Sequence, residues 1–252
     1  MEFRQERAQR AATYDRLRRV TAARMPTRWG MFRAIGFERA AWEATLPLES
    51  GLALVMGDLT QGAPLLRIHS QCFTGEGLGS LRCDCGEQLS LSMQAIADEG
   101  CGIVIYEYQE GRGIGLMAKL RAYELQDGGL DTVEANHVLG FPADCRDFSL
   151  SVAILGALRI NRVRLLTNNP RKSRALSQAG IEVTARIPCE VTPTPYSVAY
   201  LRAKKDKMDH LLGLRPSARA QPTAAPCAEE SFTQEASRGV GRRASLQWWH
   251  DE

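Results

Sequence analysis

The chain has 252 residues, 44% of them hydrophobic and 24% charged, with 32 basic against 29 acidic side chains and a formal net charge of +3. These are globular proportions and exclude a wholly disordered or fibrous chain. The balance is too even for a general nucleic-acid binder, yet it leaves room for a local basic site that takes an anionic ligand.

The N-terminal run MEFRQERAQRAATYDRLRRV is polar and rich in Arg. It has no apolar core of the kind a secretory signal carries, and Glu2, Glu6 and Asp15 set it apart from a transit peptide. It predicts a charged extension over residues 1–24, a surface helix or a frayed segment. No stretch approaches the ~20 continuous apolar residues of a membrane span. The expectations are a cytoplasmic address, no membrane and no nucleic-acid partner.

From 25 to 215, strand and helix signals alternate. Leu65–His69 reads as a strand. Glu87–Glu99 reads as a helix, with Leu89, Met93 and Ile96 at helical spacing and Gly100 as its stop. Gly102–Tyr106 is a buried strand. Leu116, Leu120 and Tyr123 share a face of the next helix, and Asp131 with Glu134 forms a capping-box pattern that opens another. Val163–Thr167 is a strand that runs into Asn168-Asn169-Pro170, an Asn cap followed by Pro at the first helical position. That helix ends at Gly180, and Ile181–Thr184 is the following strand. The pattern predicts a single α/β domain of three layers over a mixed sheet. Residues 216–252 are rich in Ala, Ser, Pro, Gln and Glu, without apolar periodicity until Trp248 and Trp249, and predict a disordered tail.

Seven cysteines in a chain of this size do not make a disulfide framework. Three of them, Cys72, Cys83 and Cys85, form a C-x10-C-x-C cluster. In a regular strand the last two would stand too far apart to chelate, so the pattern requires a turn over Arg82–Gly86. Three thiolates suit Zn²⁺, and a set of three leaves a coordination position open, as catalytic zinc sites do. Two other readings stand beside this one. The thiols are simply buried, or His69 completes a closed structural site in a zinc-binding interaction module. An open three-thiolate zinc acidifies water weakly, so it calls for a helper base and an electron-poor target such as a ring carbon between nitrogens.

Two segments suit phosphate. Glu110-Gly111-Arg112-Gly113-Ile114-Gly115 combines backbone N–H groups, an Arg and a helix start. Thr167-Asn168-Asn169-Pro170-Arg171-Lys172 places a hydroxyl, a helix N-terminus and two cations at the carboxyl end of a strand. Arg67 is a third anion contact. Each segment alone is as readily an ordinary capped turn.

Taken together, the strings RIHSQC (67–72), SLRCDCG (80–86), QEGR (109–112), DTVEAN (131–136) and LLTNNP (165–170) resemble GTP cyclohydrolase II of riboflavin biosynthesis, in that family's order and over nearly all of 25–215. The resemblance implies hydrolysis of GTP at two places. The imidazole ring opens at C8 with loss of formate, and pyrophosphate leaves, giving a 2,5-diamino-6-ribosylamino-pyrimidinone 5′-phosphate. It implies Zn²⁺ on Cys72, Cys83 and Cys85, and Mg²⁺ on the phosphates. GTP contacts are implied at Arg67, Ile68, His69, Ser70, Gln71, Gln88, Glu110, Gly111, Arg112, Thr132, Thr167 and Lys172. Tyr123 assists ring opening, Asp144 is the family's proton acceptor, Arg146 acts at the α-phosphorus, and the active form is a homodimer. Gln88 offers an amide donor and acceptor for the guanine edge. A protonated guanidinium has no lone pair, so whether Arg146 is nucleophile or charge stabiliser stays open on the sequence. Gln71 departs from the family, which usually has Glu there. That departure admits a paralogue that keeps the formyl group and yields a formamidopyrimidine, and loss of catalysis would leave a structural-zinc binding protein. Residues 1–24 are too short for a second catalytic domain.

Overall fold

The computed structural model describes residues 17–39, 49–60 and 62–213. The expected tail over 216–252, with Trp248 and Trp249, and the first part of the expected N-terminal extension lie outside them. A seven-stranded sheet runs in the order β1-β2-β3-β5-β4-β6-β7. The strands are β1 (Leu17–Thr27), β2 (Gly30–Arg39), β3 (Glu49–Met56), β4 (Leu65–Ser70), β5 (Gly102–Glu107), β6 (Arg162–Leu166) and β7 (Glu182–Ile187). The pairs from β1 to β5 are antiparallel, whereas β5, β4, β6 and β7 pair in parallel. The sheet is therefore mixed, as expected.

Residues 17–24 correct the expected helix or frayed extension, because they form most of edge strand β1 and pair in register with β2. An edge strand here covers little apolar surface. Most of β1 is exposed on both faces and Arg18 pairs with Glu38, so its sequence carries no alternation that would mark it as a strand.

The helices are α1 (Phe73–Glu76), α2 (Cys85–Glu99), α3 (Leu116–Asp127), α4 (Thr132–Val138), α5 (Ser149–Ala157), α6 (Pro170–Gln178) and α7 (Val198–Met208), with a 3-10 turn at Glu110–Gly113. Alternation along the parallel strands builds two cores. Leu66, Ile68, Ile103, Ile105, Val163 and Leu165 pack with Ile154 and Leu155 of α5 and Leu176 of α6. Leu65, Val104 and Leu166 pack with Met93 and Ile96 of α2. Each fully buried aliphatic side chain contributes about 1.5–3 kcal/mol. Arg67 and His69 share a strand face with Leu65 and thus project on the α2 side of the sheet.

Local signals set the helix ends. Asp131 and Glu134 complete the capping box of α4, and Asn169 caps α6 with Pro170 at its start. Gly100 closes α2 in the left-handed conformation. Helix α2 begins at Cys85, two residues earlier than predicted. Helix α3 departs from its expected apolar face. Leu120 is 43% exposed, and Ala122 is the buried residue of the helix. Among the described residues no helix is long and apolar enough to cross a membrane.

Candidate active site

Parallel strands in an open sheet present loops and helix starts at their carboxyl ends, and ligands gather there. Strand β4 runs there into His69-Ser70-Gln71-Cys72, β5 into Gln109–Gly113, and β6 into Thr167-Asn168-Asn169. These segments line one cleft of about 940 Å³, part of it open to solvent.

At one end stand the sulfurs of Cys72, Cys83 and Cys85, all within 4.8 Å of one another. Two glycines let them converge. A Cβ on Gly75 would lie 2.9 Å from Cys83 Sγ and 3.3 Å from Cys72 Sγ, and one on Gly86 would lie 2.7 Å from the Gly75 carbonyl oxygen. The turn at 81–84 swings Cys83 and Cys85 onto the same side, as the C-x-C spacing required. Hydrogen bonds from Cys83 and Cys85, with the Lys119 charge, favour the thiolate at Cys72. In return Cys72 pushes Cys83 up to about 11 and Cys85 well above the thiol range. Three such sulfurs ionise together only around a cation, and an all-sulfur donor set fits Zn²⁺.

His69 does not join them. Its Nε2 lies 2.9 Å from Glu76 Oε1, and its ring stacks on Tyr106. Burial outweighs the Glu76 hydrogen bond and holds its imidazole down at about 4. Glu76 also accepts from the Cys72 N–H (2.8 Å) and the Tyr106 hydroxyl (2.7 Å), so it fixes the backbone that carries the first sulfur. Among the described residues, then, the group that could hold a metal is three sulfurs.

The rest of the cleft is cationic. Arg67, Arg112, Arg146, Lys172 and Lys204 line it, while Lys119 and Glu110, the one carboxylate of the lining among the described residues, stand at the sulfur end. Lys172 is buried and donates to the Ile68 carbonyl (2.7 Å). Burial, with Arg67 and Arg146 nearby, pushes its ammonium well below the ordinary value. Arg67 Nε, Arg112 Nη2 and Asn169 Nδ2 are buried donors without an acceptor. Unmade bonds at buried groups are costly; with the unpaired Ser70 Oγ and Gln109 Oε1 on the same lining, the cleft offers a ligand three free donors, a hydroxyl and one free acceptor. Arg112 adopts φ +61°, a left-handed conformation that costs a non-glycine residue about 1–2 kcal/mol. Such strain concentrates at functional sites.

A sequence profile of the family described as GTP cyclohydrolase II matches residues 18–188. The chain belongs to the GTP cyclohydrolase II family. A GTP cyclohydrolase-2 of Klebsiella pneumoniae is 50% identical over 80% of this chain and 98% of its own length. One of Escherichia coli is 51% identical over 78% of this chain and 98% of its own. A riboflavin biosynthesis protein of Vibrio vulnificus is 50% identical over 82% of this chain, which spans 55% of that relative's length.

On this member of the GTP cyclohydrolase II family, the cleft gathers all but two of the residues expected at the site: Arg67, His69, Ser70, Gln71, Gln88, Glu110, Gly111, Arg112, Tyr123, Thr132, Arg146, Thr167, Lys172 and the three cysteines. Ile68 does not line the cleft: its side chain is fully buried in the core and its carbonyl accepts from Lys172. Asp144 stands behind Arg146. Gln88 is committed at both ends of its amide. It accepts from Arg67 Nη2 (2.6 Å) and donates to Asp84 Oδ2 (2.5 Å). The Gly111 N–H is likewise taken by Glu110 Oε1 (2.9 Å), which leaves Arg112 as the main offering of that turn.

Sequence reasoning missed Lys119, Tyr200, Lys204 and His210, all on the cleft wall. Lys119 Nζ donates to Cys72 Sγ (3.1 Å), Thr74 Oγ1 (2.7 Å) and Glu110 Oε1 (2.8 Å), and Thr74 meets the Tyr123 hydroxyl at 3.3 Å. A signal was present: Lys119 lies four residues before Tyr123, and Lys204 four after Tyr200, a spacing that places both members of each pair on one helix face.

Proposed function

We propose that this protein hydrolyses GTP in the first step of riboflavin biosynthesis, releasing formate and pyrophosphate and leaving 2,5-diamino-6-(5-phospho-ribosylamino)pyrimidin-4(3H)-one. In this reading it works as a cytoplasmic homodimer with Mg²⁺ on the phosphates. The observation that carries it is one cleft with a three-sulfur cluster beside Lys119 and Glu110 at one end, and five further basic side chains, Arg67, Arg112, Arg146, Lys172 and Lys204, along the rest. That arrangement suits a ligand with a polyanionic tail and a heterocyclic head.

Cys72, Cys83 and Cys85 would hold Zn²⁺, whose Lewis acidity supplies activated water for attack on the ring carbon between two nitrogens. Lys119 balances thiolate charge and fixes Thr74. Burial raises the Tyr123 phenol above its ordinary value, so its hydroxyl stays protonated. That hydroxyl would offer a hydrogen bond to the ring as it opens. Arg67, Arg112, Arg146 and Lys172 would receive the phosphates, and the buried donors there would gain the acceptors they lack.

The test incubates the zinc-loaded protein with GTP and Mg²⁺ and measures formate, pyrophosphate and the pyrimidine by mass. Formate with the diaminopyrimidine is expected. Pyrophosphate with a formamidopyrimidine would point instead to a formyl-retaining paralogue, and no turnover would point to a binding protein. Cys83→Ser is expected to stop formate release.

A further inference from the structure

The turn between the second and third sulfurs is held from outside itself. Asp84, between Cys83 and Cys85, occupies the N-cap position of α2, where an Asp side chain ordinarily accepts a backbone N–H of the first turn. Here it caps nothing. Its Oδ2 accepts from Gln88 (2.5 Å) and its Oδ1 from Lys204 Nζ of α7 (3.2 Å), 120 residues away. Asp84 and Lys204 are both buried. Gln88 passes the connection on to Arg67, which also donates to the Leu166 carbonyl (3.2 Å). Lys204 is itself steadied by the Tyr200 ring, whose centroid lies 4.9 Å from its Nζ and 5.3 Å from the Arg112 guanidinium carbon. Helix α7 lies beyond residue 188, where the match to the family profile ends.

A buried ion pair seldom adds much stability over an apolar one, and its best-attested use is to fix one arrangement. A local cap has been given up for a distant one. We infer that Lys204 is a positioning residue for the metal site. Through Asp84 it sets the conformation of the Cys83–Cys85 turn, and through Gln88 it ties that turn to Arg67. This rests on the zinc reading above, and it makes α7 part of the active site.

The experiment measures zinc affinity of the full chain by competition with a chromogenic chelator, and records the thiolate-to-metal absorption of the Co²⁺-loaded protein. Neither needs GTP. Lys204→Met is expected to weaken zinc binding about 10- to 100-fold, the usual effect of removing a group that orients a ligand, and to shift the Co²⁺ band. Asp84→Asn should do the same, and the double variant should lose no more than the worse single one. Lys205→Met, exposed on the same helix, should match the wild type. A loss under about tenfold for Lys204→Met, or single losses that multiply in the double variant, overturns the inference. If Lys204→Met does not fold by circular dichroism, Lys204→Gln is measured against the same threshold. A chain that binds zinc in this manner yet leaves GTP intact would refute the proposed activity alone. Normal turnover with unaltered zinc affinity in Lys204→Met would refute this inference alone.

Discussion

The two oxygens of the Asp144 carboxylate take the two ends of the Arg146 guanidinium fork, Oδ1 from Nε at 2.9 Å and Oδ2 from Nη2 at 2.8 Å. Arg171 adds a second cation to Oδ2 at 2.8 Å. Burial pushes the Asp144 carboxyl up, but Arg146 and Arg171 outweigh it and hold it down at about 2. Burial likewise opposes the charge on Arg146, and Asp144 overcomes it, so the guanidinium is held in its charged form. An acid that weakly basic is a poor proton acceptor, and an arginine so paired has no lone pair to offer. The pair fixes a charged guanidinium at the cleft wall, with its Nε–Nη2 edge turned to Asp144.

From this follows a prediction for Arg146→Lys. A lysine keeps the charge and loses the fork. We expect kcat for GTP to fall about 100- to 1000-fold, with KM changed only a few-fold. We also expect intact-protein mass spectra during turnover to show no nucleotide attached to the wild-type chain. A covalent guanylyl adduct on Arg146 would restore the nucleophile role.

The same pair makes a pH prediction. The folded carboxyl sits at about 2, below its ordinary 3.8. Its contribution to stability, about 2 kcal/mol, is present in full above that ordinary value and disappears as pH falls through the folded one. Asp144→Asn should therefore be less stable than wild type in urea at neutral pH, and the gap should close between about pH 4 and pH 2. A gap independent of pH over that window would mean that the carboxyl is not the responsible group.

Gly75 offers a test of the sulfur geometry that leaves every ligand in place. A methyl group there would press on both Cys72 and Cys83 Sγ. Gly75→Ala should lower zinc affinity about tenfold while the circular dichroism spectrum is kept. Unchanged affinity would show that the sulfurs have slack.

The α4 capping box bears on Thr132 at the cleft. Asp131 accepts from the N–H groups of Val133 and Glu134, and Glu134 accepts from the Asp131 N–H. Asp131→Ala should cost about 1 kcal/mol, a fall in Tm of roughly 2–4 °C for a domain of this size. Calorimetry measures it directly.

The parts of the fold that the sequence disclosed are those whose signals are short in range. The capping box at Asp131, the Asn169-Pro170 start of α6 and the buried runs of β4, β5 and β6 each follow from a few neighbouring residues. The sulfur turn was legible for the same reason, since a C-x-C pair can chelate only by bending. What stayed hidden depends on partners distant in sequence. Strand β1 is a strand because β2 lies beside it, and its Arg-rich surface gives no period of two. Gln88 looks like a free amide until Arg67 and Asp84 are seen on either side of it. Lys119 and Lys204 look like ordinary helix-surface lysines until the cleft closes over them.

The separation of 120 positions between Asp84 and Lys204 also sets an order of events at the ribosome. At roughly 5–20 residues per second, the cysteines leave the site of synthesis roughly ten seconds before the amine that braces their turn has been made. During that interval the thiols are without their brace and open to oxidation or to adventitious metals. If the sulfurs take the proposed zinc, faithful loading would belong to the finished chain, and protein recovered from interrupted synthesis should be metal-poor.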